Sequence, residues 1–67
     1  MIDLTVNGRA MTIAGTSNIG EFLRARSIRE AMVVVEHNGE IVPRGRFDEV
    51  ALRAGDTVEI VQMMAGG

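Results

Sequence analysis

Cysteine, lysine, tryptophan and tyrosine are all missing from this 67-residue sequence, and there is one proline. Without cysteine there is neither a disulfide nor a thiolate metal site, a composition suited to a reducing compartment. The two aromatics, Phe22 and Phe47, have core-like contexts, and seven arginines are scattered among nine acids for a net charge of −2. A nucleic-acid surface needs a dense basic patch, usually with aromatics for stacking, so no nucleic-acid partner is expected. No apolar run approaches the roughly 20 residues of a membrane span. The opening "MIDLTV" lacks the basic stretch and apolar core of a signal peptide. The expectation is a cytoplasmic chain with no membrane partner. One histidine and no G-x-S-x-G leave no catalytic residue to assign. His37, beside Asn38-Gly39, reads as a surface or strand-end residue. Glu36 and Glu40 flank that turn and could be cross-strand neighbours, but a solvated face explains them better than a metal site. The internal glycines are isolated, so no phosphate cradle is expected.

What is present is a patterned, apolar-rich single domain. A chain this short buries only about 60% of the surface its unfolded form exposes. In "IDLTV", Ile2, Leu4 and Val6 alternate with Asp3 and Thr5, the pattern of a half-buried strand. Asn7-Gly8 is a type I′ hairpin signal, and "RAMTIA" returns as the second strand. Asn18 followed by Glu21 forms a capping-box variant, and Ile19, Phe22 and Leu23 share one helical face. The spacing predicts a short helix over Ile19 to Ser27, with Gly20 costing about 1 kcal/mol relative to Ala. "AMVVVEH" reads as a strand buried on both faces. A second Asn-Gly turn leads to "EIVP", which Pro43 ends or confines to an edge. Phe47, Val50 and Leu52 are expected to cover one end of the core. "RAGD" is a turn, and "TVEIVQMM" the last strand, with Val58 and Ile60 inward. One sheet with one helix on one face is the simplest packing of this order, and strand order stays open.

The chain stops on Ala65-Gly66-Gly67 directly after that strand. Residues 1–63 read as the folded domain and 64–67 as a flexible tail. Glycine has no Cβ, so its backbone fits a narrow cleft. Four residues reach about 13–14 Å at roughly 3.3–3.6 Å each, enough to carry a carboxylate into a partner's active site. An α-carboxyl titrates near about 3.3–3.7, so at neutral pH it is an anion and a poor electrophile. Acyl chemistry on it requires activation by another protein. With Val58 and Ile60 inward, Thr57, Glu59, Val61 and Met63 face outward. Either Val61 and Met63 then form a contact patch next to the tail, or Met63 and Met64 finish the core.

The segments "VNG" (6–8), "NIGEFL" (18–23), "HNGEIVPR" (37–44), "GDTVEIV" (55–61) and the final "AGG" together resemble the ThiS family of sulfur carriers. The likeness covers the whole chain. The resemblance implies an α+β ubiquitin-like β-grasp fold: a mixed sheet of about five strands with one main helix on one face. It implies a carrier and not a catalyst. An E1-like, ThiF-like adenylyltransferase would use ATP and Mg²⁺ to adenylate the Gly67 carboxylate. Sulfur from cysteine, through a desulfurase, would convert it to a thiocarboxylate. A ThiG-like thiazole synthase would then take the sulfur for the thiazole of thiamine. Ala65 and Gly66 would thread the partner's cleft, and Val61, Met63 and Met64 would dock. No cofactor or metal is expected on this chain itself. A carrier serving another acceptor (molybdopterin, tRNA thiolation or an amino-acid precursor) and a ubiquitin-like binding module with an inert tail are the alternatives. Lysine's absence is explained first by arginine-rich composition bias, and second by protection from self-acylation.

Overall fold

The computed structural model describes residues 1–15 and 17–63. Strands β1 (Ile2–Val6) and β2 (Arg9–Ile13) pair antiparallel, Ile2 opposite Ile13 and Val6 opposite Arg9. The turn between them holds Asn7 at φ 50° and Gly8 at φ 80°. Two successive positive φ values are what a type I′ turn demands, and Asn-Gly tolerates them best. Asn38 and Gly39, at φ 52° and 88°, repeat the device between β4 (Val33–His37) and β5 (Glu40–Ile41).

A short ladder, β3 (Ser17–Asn18) against β6 (Ala51–Leu52), stands outside the main sheet and introduces helix α1 (Ile19–Ala25). The expected capping box is present. The Glu21 N–H donates to Asn18 Oδ1 at 2.8 Å, and the Asn18 N–H donates to Glu21 Oε1 at 3.2 Å. The helix ends two residues earlier than the sequence spacing predicts. Ser27 adopts φ 58°, its N–H donates to Arg24 O, and the Ile28 N–H reaches back to Leu23 O at 2.9 Å. This is a Schellman closure with serine where glycine is usual, and the partly buried Ile28 seals it against the core. Gly20 also leaves room for a neighbouring side chain. A Cβ there would collide with the Asp48 carboxylate, which the 3-10 turn Phe47–Glu49 brings against the helix.

The last strand, β7 (Thr57–Gln62), enters the middle of the main sheet, giving the order β2-β1-β7-β4-β5. It runs parallel to β1 and antiparallel to β4, with Val35 opposite Ile60 and Val34 opposite Val61. Helix α1 covers one face of this mixed sheet. Leu4, Val6, Val33, Val35 and Val58 meet Ile19, Phe22 and Leu23 in the core, and Phe47 and Leu52 belong to the same cluster. Slipping β7 by one residue would turn Val58 out to water and Glu59 in, so the pattern of this strand fixes its register.

Three expectations are corrected. Ala31 and Met32 belong to a 3-10 turn (Glu30–Met32), not to a strand. The following β4 is buried on one face only, since Val34 is 38% exposed between buried Val33 and Val35. Among the described residues there is one α-helix, and no second layer covers the other face. Glu36 and Glu40 are not opposite each other: Glu36 faces Ile41, and His37 faces Glu40.

Candidate functional site

The outer face of the sheet carries the exposed apolar side chains that make it the candidate site. Cross-strand partners share a face, so Val34 lies beside Val61, and the bond from the Met63 N–H to Met32 O at 2.7 Å continues the pairing. Val61 is 59% exposed and Met63 40% exposed. Together with Val34 they make an uncovered apolar end to the sheet at the point where β7 leads into residues 64–67. Glu59 and Glu36 oppose each other further back on the same face, and Ile41, opposite Glu36, is 67% exposed. Of the two readings of Val61 and Met63, the structure gives the exposed one. Met64, Ala65, Gly66 and Gly67 lie outside the described residues.

The end of β7 is anchored on both edges. On one side β4 follows it as far as Gln62, opposite Val33. On the other, β1 gives out at Val6, opposite Val58, and the side chain of Asn7 takes its place. The Ile60 N–H donates to Asn7 Oδ1 at 2.7 Å, and Asn7 Nδ2 donates to Ile60 O at 3.3 Å. Sequence reading assigned Asn7 only to its turn. Its partner lies 53 residues away, so no local signal could have disclosed the second role.

At the opposite end of β7 a polar cluster ties two loops together. His37 does end a strand, as expected, but it is engaged: its Nε2–H donates to Asp56 Oδ2 at 2.7 Å. The Arg53 N–H donates to the same oxygen at 2.9 Å, and Asn38 Nδ2 to Oδ1 at 3.2 Å. Burial works against charge on Asp56, but the bonds from His37, Arg53 and Asn38 outweigh it and hold the carboxyl below its ordinary value. Asn38 Oδ1 in turn accepts from the Thr57 N–H at 2.8 Å, which sets the start of β7. The only histidine is thus committed to architecture. Among the described residues no three His, Asp or Glu side chains gather as a metal set. None of their helices is long and apolar enough to cross a membrane.

A mixed five-stranded sheet with its first and last strands parallel at the centre, and one helix across one face, defines a ubiquitin-like β-grasp domain. The comparisons narrow that class. The ThiS family model matches residues 4–67, and the chain belongs to the ThiS family. It is 36% identical over 52 residues to a sulfur carrier protein ThiS of Bacillus subtilis, covering 78% of this chain and 79% of that one. The crystal structure of a thiamine biosynthesis protein (ThiS) from Geobacter metallireducens superposes with a TM-score of 0.82 at 40% identity, covering 98% of this chain and all of that one. A thiazole synthase of Paramagnetospirillum magneticum is 33% identical over 64 residues; that match takes in 96% of this chain but only 20% of the synthase.

Proposed function

We propose that this chain carries sulfur as a C-terminal thiocarboxylate on Gly67 and donates it for the thiazole ring of thiamine. In this reading residues 1–63 are a handle and 64–67 the delivered tail. The observation that carries the proposal is the exposed apolar end of β7, Val61 and Met63, leading directly into a tail that the ThiS family model includes through Gly67. The thiazole synthase relative supports the choice of acceptor, because a fifth of that polypeptide resembles nearly all of this chain. Carrier and acceptor enzyme are then natural partners.

The chemistry is divided between this chain and its partners. The Gly67 carboxylate attacks the α-phosphate of ATP on a ThiF-like, E1-like enzyme, releasing pyrophosphate and forming an acyl-adenylate. A persulfide formed from cysteine by a desulfurase attacks the acyl-adenylate and displaces AMP. A second thiol, such as the cysteine present, cleaves the resulting acyl disulfide to leave the thiocarboxylate and a disulfide. ATP and Mg²⁺ belong to the activating partner. This chain is a co-substrate, held in the cytoplasm, and contributes position. Ala65 and Gly66 bring no side chain that would block a narrow channel, while Val61, Met63 and Met64 supply apolar contact area.

The test is intact mass spectrometry of the chain after incubation with the activating enzyme, ATP, Mg²⁺, cysteine and a desulfurase. The expected product is heavier by one sulfur in place of one oxygen, with fragmentation placing the change at Gly67. An unchanged mass, with an activating enzyme that modifies a known carrier in parallel, would refute the proposal.

A further inference from the structure

β7 outruns its parallel neighbour. The β1 ladder ends at Val6 opposite Val58, after which the Asn7 N–H donates to Val58 O at 2.9 Å. The Asn7 side chain then presents to Ile60 the same donor and acceptor that another peptide unit would present. Beyond it the chain turns away through Gly8 into β2. On the other edge β4 still follows. Alternate residues of a strand direct their N–H and C=O groups to the same neighbour. Met63, whose N–H donates to Met32 O, points toward β4, and so does Val61. Gln62, like Ile60, points to the β1 side. No described residue bonds to Gln62's N–H or C=O there.

We infer that this open backbone position at Gln62 is where an extended segment of the activating enzyme adds to the sheet, with the Asn7 side chain fixing where that pairing begins. Strand addition at an open edge gives affinity through main-chain bonds and leaves side-chain pockets to give specificity. The occupant follows from continuity along the chain. Gly67 lies five residue steps beyond Gln62, a reach of roughly 17 Å at ~3.3–3.6 Å per residue. An enzyme that holds the terminal carboxylate must therefore pass its surface along this stretch. The exposed side chains of Val61 and Met63 bracket the open position on the outer face, where that same surface would meet them. The inference rests on the proposed carrier role.

Amide exchange tests it directly, on the full-length chain with and without the ThiF-like enzyme. The Ile60 and Met63 amides, already bonded, are expected to be protected in both states. The Gln62 amide is expected to exchange freely alone and to gain at least about tenfold protection in the complex, equivalent to roughly 1.4 kcal/mol. Proline at an unpaired edge position removes a donor without breaking a ladder. Gln62→Pro should keep the circular dichroism spectrum of Gln62→Ala yet lower kcat/KM for activation about tenfold relative to it. If Gln62→Pro does not fold, the exchange result on the natural chain decides alone. A Gln62 amide that exchanges as fast in the complex as outside it would overturn the inference. So would protection that appears with rising concentration of the chain alone, which would give the edge to a second copy. A chain that binds with Gln62 protected but acquires no sulfur would uphold the edge and refute the carrier reading instead.

Discussion

Replacing Asp56 by asparagine removes one charge from a site where three donors converge. Asp56 is 12% exposed and His37 21% exposed, so neither is fully compensated by water. An asparagine carbonyl placed at the Oδ2 position keeps the bonds from His37 and Arg53 but makes them neutral. A hydrogen bond to a charged group contributes about 1.5–3 kcal/mol and a neutral one about 1. The asparagine NH₂ would then face Asn38 Nδ2, donor against donor, and lose the third bond. The two retained bonds weaken by about 0.5–2 kcal/mol each and the third is lost, so the expected total is a loss of at least about 2.5 kcal/mol. Global stability for a chain of this length is only about 3–10 kcal/mol, and Tm should fall by roughly 10–20 °C.

The pH dependence has a definite sign. The folded-state pKa of Asp56 lies below its unfolded value. Its contribution is therefore complete above about pH 4 and is lost as pH falls through the folded value. The gap between the natural chain and Asp56→Asn should narrow between neutral pH and about pH 3. Denaturant unfolding followed by far-ultraviolet circular dichroism is the suitable assay, because the chain has no tryptophan or tyrosine to report by fluorescence. A variant within about 0.5 kcal/mol of the natural chain, or a gap that does not change with pH, would refute this account of the cluster.

Three further outcomes are expected. Val61→Asp with Met63→Asp should leave stability within about 0.5 kcal/mol, as suits exposed positions, while raising KM for the activating enzyme tenfold or more in steady-state kinetics, since the pair puts charge into an apolar contact. Asn18→Ala breaks the capping box and should cost about 1 kcal/mol in denaturant unfolding. Leu23→Ala opens a cavity where the helix meets the sheet. Its cost of about 2–5 kcal/mol is a large share of total stability and should show as a broad loss of dispersion in the amide spectrum.

What was legible in the sequence was local. Both hairpins announced themselves through Asn-Gly, because the left-handed pair of φ values leaves few alternatives. The helix start was equally readable from Asn18 and Glu21. Its end was not, because Ser27 takes the left-handed position that glycine usually marks. The valine run of β4 hid its outward member, since Val33, Val34 and Val35 offer no change of polarity from which to read alternation. Strand order depends on the parallel meeting of β1 and β7, at opposite ends of the chain, and no turn encodes it. Asn7 and Asp56 were hidden for the same reason: each acts through partners distant in sequence. Of the candidate site, the outward face of β7 was readable from its alternation, while the clamp that holds its end was not.

The central claim is that the domain exists to position one carboxylate. The measurement that tests it most directly is sulfur incorporation into thiazole in a reconstituted mixture of activating enzyme, thiazole synthase, ATP, Mg²⁺ and a sulfur source. It should be run with the natural chain and with a chain lacking only Gly67. The account predicts incorporation with the first and none with the second, at matching circular dichroism spectra. Sulfur transfer that survives loss of Gly67 would contradict it.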